Sequence, residues 1–207
     1  MTAVVYHSPI YKFLFSIDVF AKDMEKKILD CGAGGSKPPL SLFHDYGFET
    51  HGIEISMEQI KLAEEFANKK GQQLNIQKGD IRSLPYEDES FSYVISYNTI
   101  FHMNKNDMKK TIGEIRRVLK KGGFLFVNFM SIDDKFFGEG KEIGKGEFVL
   151  QDEKGEFTRY RSFLENNEIN DYFEGFELLL HENRHIRLPT LWKNYEASYI
   201  DCLVRKI

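Results

Sequence analysis

The stretch Ile28-Leu29-Asp30-Cys31-Gly32-Ala33-Gly34-Gly35-Ser36 decides how this chain is read. A short apolar run ends in an acid and then breaks into glycines. Glycine lacks a Cβ, so a main chain bent there can approach a ligand closely. Pro38 and Pro39 suit the first turn of a helix reaching Asp45, and Gly47 suits its end. Helix N-termini carry unpaired N–H groups, which favour anionic ligand atoms. Many α/β proteins turn from strand to helix on glycine, so the spacing of the acids downstream decides whether this bend holds a cofactor.

The alternation continues downstream. Thr50–Ile55 reads as a second strand, and Ser56 with Gln59 forms a capping box for the next helix. Ile60, Ala63, Phe66 and Ala67 line one face of that helix, and Gly71 stops it. A third strand near Leu74–Lys78 ends at Gly79-Asp80. Phe91–Tyr97 is a fourth strand, and Lys105–Lys120 a helix with Met108, Ile112, Ile115 and Leu119 on one stripe. Phe124–Phe129 is apolar without alternation, as expected of a strand covered on both faces. Repeated strand–helix alternation predicts a doubly wound, Rossmann-like open α/β sheet.

After Ser131 the pattern changes. Gly138, Gly140, Gly144 and Gly146 punctuate a charged segment reaching Arg161. Phe163–Phe173 is expected to be a short helix, and Phe176–Arg184 and Tyr199–Arg205 two strands. The whole chain, 1–207, reads as one domain: a helical cap over 1–25, a cofactor-binding core over 26–130, and a substrate-side segment with a C-terminal hairpin over 131–207.

Composition narrows the function. The net charge of −4 gives no electrostatic footprint for extended nucleic acid. The early apolar stretch Ile10–Phe20 contains Lys12 and Asp18 and is too short for a bilayer, so no membrane partner is expected. Two cysteines, Cys31 and Cys202, are too few for a disulfide framework, and no signal-peptide pattern opens the chain. A cytoplasmic protein is expected. His181 and His185 fall on a strand, where a spacing of four separates them, so no metal is expected.

In an open parallel sheet, ligands sit at the carboxyl ends of the strands. Asp30, Glu54 and Asp80 each fall at such an end. Glu54 follows Asp30 by 24 residues, near the spacing at which an acid meets a ribose diol. Asp80 would reach an adenine amino group from the third strand. Each acid alone reads as a solvated loop residue; together, with the glycine bend between, they predict an adenosine-bearing cofactor.

These residues resemble the class I S-adenosylmethionine-dependent methyltransferases. The carrying segments are Ile28–Ser36, His51–Ser56, Lys78–Ser83, Phe91–Met103 and Glu114–Phe129, the last including EIRRVLKKGGFLFV. The later run SIDDKFFGEGKEIGKGEF is similar, more loosely, to tellurite-resistance-type methyltransferases. The resemblance implies S-adenosyl-L-methionine as cofactor and S-adenosyl-L-homocysteine as product. It implies a pocket in which Asp30, Gly32 and Gly34 surround the methionine part and Glu54 holds the ribose, with Cys31 and Ile55 also among the cofactor-binding residues. Met57 would lie against the adenine, Asp80 and Ile81 at its amino group, and Ser96 at the end of the fourth strand. It also implies that the C-terminal hairpin adds an antiparallel strand to a mostly parallel sheet. Two positions depart from the family: Ser36 stands where a further glycine is frequent, and Tyr93 where an acid is frequent.

Methyl transfer to a small-molecule acceptor is the expected reaction. His102 is the candidate general base; its other reading is a histidine packed between Phe101 and Met103. Tyr6, Tyr11, Trp192 and Tyr195 could wall the site or simply pack, and Lys141, Arg159 and Arg161 could receive an anion or form a solvated face. Two rivals stay open. A non-catalytic adenosyl-binding module would show the same pocket. An NAD-dependent oxidoreductase shares the glycine bend, but Lys37 stands where its further glycine belongs.

Overall fold

The structure is a computed structural model that describes residues 8–21, 23–188 and 195–207. The expected contributions of Tyr6, Trp192 and the Tyr195 side chain lie outside the described residues.

Helix α1 (Ser8–Phe20) leads into β1 (Lys27–Cys31), α2 (Leu40–Asp45) and β2 (Glu49–Glu54). Then come α3 (Met57–Lys70), β3 (Ile76–Lys78), β4 (Phe91–Ser96), α4 (Lys105–Val118) and β5 (Leu119–Ser131). Strands β3, β2, β1, β4 and β5 lie side by side in that order, all parallel. The C-terminal hairpin, β9 (Phe176–Leu188) and β10 (Tyr195–Lys206), docks β10 antiparallel against β5. The sheet is therefore mostly parallel with an antiparallel strand from the hairpin, as the resemblance implied.

Both sheet faces are buried, which explains the unbroken apolar runs. Ile28, Tyr93, Ile95, Phe124 and Phe126 face α1 and α2 through Ile10, Phe13, Ile17, Leu40 and Phe43. Leu29, Val94, Leu125 and Val127 face α4 through Met108, Ile112, Ile115 and Val118. Capping of α3 follows the sequence in part. The Ser56 hydroxyl accepts from Gln59 N, and Gly71 ends the helix at φ 66°. The Ser56 amide, however, donates to Glu54 Oε1 at 2.9 Å rather than to Gln59.

Several boundaries move. The second helix begins at Leu40 with Pro39 as its cap, so its free amides sit farther from the glycines than expected. β5 is longer than Phe124–Phe129, and both hairpin strands extend beyond Arg184 and before Tyr199. The expected helix over Phe163–Phe173 is absent. Instead the punctuated segment folds as an antiparallel meander: β6 (Lys141–Gly144), β7 (Glu147–Gln151) and β8 (Phe157–Leu164). A 3-10 turn, Glu168–Tyr172, comes next.

That meander has a defined seat. Met130 and Ser131 of β5 pair with Phe163 and Leu164 of β8. At Met130 the other side of β5 is taken by Tyr199 of β10. β8 therefore lies on the β4 side, beyond the point where β4 ends at Ser96, and roofs the carboxyl edge of the sheet. Among the described residues no helix is long and apolar enough to cross a membrane.

Candidate active site

Three adjacent strands carry the three acids to one edge. Asp30 pairs with Gly52 across β1 and β2, and Glu54 pairs with Lys78 across β2 and β3. The Gly79 amide then donates to the Glu54 carbonyl at 3.0 Å, which holds the turn bearing Asp80 against the end of β2.

Asp30 is buried to 1% exposure, and neither carboxylate oxygen has a protein hydrogen-bond partner among the described residues. Burial, and then the Glu54 carboxylate, push its pKa well above the usual range. A carboxyl group left this way is costly. Its needs would be met by a cation bearing hydrogen-bond donors. Cys31 is buried, and burial with the Asp30 charge pushes its thiol up, so it serves as packing.

The glycine bend is held tightly. The amides of Gly32 and Ala33 donate to the Ile53 carbonyl at 2.8 and 3.1 Å, and the Gly35 amide to the Gln59 carbonyl at 3.0 Å. A Cβ at Gly34 would come within 2.5 Å of the Gln59 Cβ and 2.9 Å of Glu54 Oε2. Glycine there lets the bend lie directly on the Glu54 carboxylate.

Ile55 and Met57, 62% and 46% exposed, offer apolar surface beside Glu54. Asp80 is engaged by its neighbour: Arg82 donates through its Nε and Nη2 to the carboxylate, at 2.6–3.0 Å, and through its amide at 2.8 Å. The hydrogen bonds from the Arg82 side chain hold the Asp80 pKa below the ordinary value. Arg82 Nη1 also donates to Asp107 in the first turn of α4. Ile81 packs in the core with Ile53 and Leu84, so what it offers the edge is main chain. Ser96 is buried and donates its hydroxyl to the Cys31 carbonyl at 3.1 Å, fastening β4 to β1.

His102 closes a 3-10 turn after β4 and stands exposed beside β8, its Nδ1 3.3 Å from the Tyr160 carbonyl. A carbonyl only accepts, so a bond there requires the proton on Nδ1, leaving the Nε2 lone pair free. Desolvation lowers the His102 pKa, with Arg159 and Arg161 adding to the shift and the Tyr160 bond opposing it. Arg161 is buried, paired with Glu139 and seated over the Phe136 ring. Lys141 and Arg159 are exposed on the meander. Tyr11 lies 40% exposed on α1.

The structure adds residues that sequence reading passed over. Arg82 was hidden because its role is a short-range pairing with no pattern of its own. Thr99 and Asn128 belong to the same edge; the one sequence signal for Asn128 is a lone amide inside the apolar run FLFVNFM.

The residues at this edge fit the methionine end of the expected cofactor: a buried carboxylate with no partner among the described residues, beside a bend that a Cβ would obstruct.

Comparison with known proteins agrees. Residues 29–127 match the family described as "Methyltransferase domain". The chain is 33% identical over 117 residues to an uncharacterized methyltransferase, YcgJ, of Bacillus subtilis, covering 56% of this chain and 45% of that protein. It is 34% identical over 113 residues to ajmaline N-methyltransferase of Rauvolfia serpentina, covering 52% of this chain and 38% of that one. The chain thus spans less than half the length of these two curated relatives. A solved methyltransferase from Methanosarcina mazei shares the fold at a TM-score of 0.75 and 20% identity, over 93% of this chain and 97% of that one. Residues 29–127 of this chain are thus similar to the methyltransferase-domain family, and the chain shares the α/β fold of a solved S-adenosylmethionine-dependent methyltransferase.

Proposed function

We propose that this chain, acting as one domain over residues 1–207, transfers a methyl group from S-adenosylmethionine to a small-molecule acceptor. The observation that carries the reading is Asp30: buried and, among the described residues, without a protein partner, beside the glycine bend and the Glu54 carboxylate. S-adenosylmethionine, when bound, supplies an activated methyl on a sulfonium for in-line displacement.

In this reading Asp30 holds the ammonium of the methionine part. Gly32 and Gly34 let the chain lie against it. Glu54 keeps Oε1 on the Ser56 amide and offers Oε2 to the ribose hydroxyls. Ile55 and Met57 cover the base, and Asp80, kept ionised by Arg82, accepts from its amino group. Cys31, Ile81 and Ser96 set the main chain around these groups. Alignment of donor and acceptor is worth up to about 7–11 kcal/mol, so the enzyme needs little further chemistry. The β6–β8 roof excludes water above the transfer point. Where the acceptor starts protonated, His102 takes the proton at Nε2.

The acceptor class rests on the net charge of −4, which supplies no phosphate-binding stripe. A relative named ajmaline N-methyltransferase is consistent with it. Two free, buried cysteines suit a cytoplasmic setting.

Thermal unfolding with added S-adenosylhomocysteine or NAD tests the cofactor. At a hundredfold excess over Kd the former should stabilise by about 2.7 kcal/mol. Stabilisation by NAD alone would overturn the proposal. Tight binding without methyl release to any acceptor in a broad panel would instead mark a binding module.

A further inference from the structure

β4 ends at Ser96, and the chain then turns through Tyr97, Asn98 and Thr99 into the turn that carries His102. Asn98 stands at φ 58°, in the left-handed region that a non-glycine residue enters only at a cost.

The cost is offset from the neighbouring strand. Asn98 N donates to Asn128 Oδ1 at 2.7 Å, and Asn128 Nδ2 donates back to Asn98 Oδ1 at 2.8 Å. Asn128 is fully buried in β5. An amide there is tolerable only because both ends are bonded, and the apolar neighbours Val127 and Phe129 show that packing does not demand it.

The turn so held has a contact on the far side. The Thr99 side chain lies where a Cβ at Gly32 would stand, its Oγ1 2.1 Å from that position. Gly32 has φ 103°, and its amide is bonded to the Ile53 carbonyl, so the bend is fixed from below. Contacts therefore run Asn128, Asn98, Thr99, Gly32, from β5 to the glycine bend.

We propose that Asn128 is a positioning residue: it clamps Asn98 in its left-handed turn and thereby sets Thr99 against Gly32 at the methionine end of the cofactor pocket. This rests on the cofactor reading above. Asn128 does not touch the cofactor; it fixes the wall that does.

The test is calorimetric titration with S-adenosylhomocysteine, with the thermal midpoint of each protein measured alongside. Asn128→Leu should lose about tenfold in affinity, the size of a released left-handed turn. Adding Asn98→Gly to Asn128→Leu should restore most of that loss, because glycine holds φ near 58° without a clamp. A purely structural amide would not be rescued in affinity by a glycine elsewhere. If Asn128→Leu fails to fold, Asn98→Ala carries the test and should bind about tenfold more weakly than Asn98→Gly. Affinity of Asn128→Leu within twofold of the unaltered protein, or no gain in the double variant, overturns the clamp and leaves the cofactor reading standing. No measurable binding by the unaltered protein overturns both.

Discussion

Asp30 and Glu54 stand at the ends of adjacent strands, and the charge on Glu54 adds to burial in holding a proton on Asp30. The folded state keeps that proton where the unfolded chain releases it. Stability therefore falls as pH rises from the ordinary carboxylate range toward the raised value in the folded protein. Asp30→Asn removes the titration. It should match the parent near pH 4 and exceed it by about 1–3 kcal/mol at pH 8, read from denaturant unfolding. It should also bind S-adenosylhomocysteine far more weakly. A variant that is no more stable at pH 8 would contradict the burial argument.

Gly34 tests steric access separately from charge. Gly34→Ala brings a Cβ against Glu54 and Gln59 and should cost at least about tenfold in S-adenosylhomocysteine affinity. Gly113, exposed in α4 with open space around it, is the control: Gly113→Ala should leave affinity alone and stabilise by about 0.5–1 kcal/mol. Equal effects at both positions would remove the special role of the bend.

Asp80 should read the base. A carboxylate accepts from the amino group of adenine and opposes the carbonyl of hypoxanthine. The parent should prefer S-adenosylhomocysteine to its inosyl analogue, and Asp80→Asn should shrink that preference by about tenfold or more. An unchanged preference would mean that Asp80 serves only Arg82.

His102 divides binding from chemistry. His102→Gln should leave S-adenosylhomocysteine affinity unchanged and lower kcat about 10²–10⁴-fold on an acceptor that must lose a proton. With an acceptor already deprotonated, turnover should persist. Full turnover on a protonated acceptor would return His102 to packing against Phe101.

The alternating half of the chain was legible because each element there repeats its own period. Ile28–Cys31 and Phe124–Phe129 are apolar without alternation apart from Asp30 and Asn128, and Ile60, Ala63 and Ala67 share a helical face. The meander was not legible. Phe163–Phe173 reads as one short helix, but Phe163 and Leu164 end a strand, and Ile169 and Tyr172 belong to a 3-10 turn. Positions of acids at strand ends could be read from spacing. What each acid touches could not, because Arg82 on Asp80 and the Ser56 amide on Glu54 depend on how the turns close.

The most direct measurement is a crystal structure with S-adenosylhomocysteine bound. The account predicts its ammonium within hydrogen-bond distance of Asp30, its ribose hydroxyls on Glu54 and its adenine amino group on Asp80. A ligand seated elsewhere, with the Asp30 carboxylate still untouched, would contradict it.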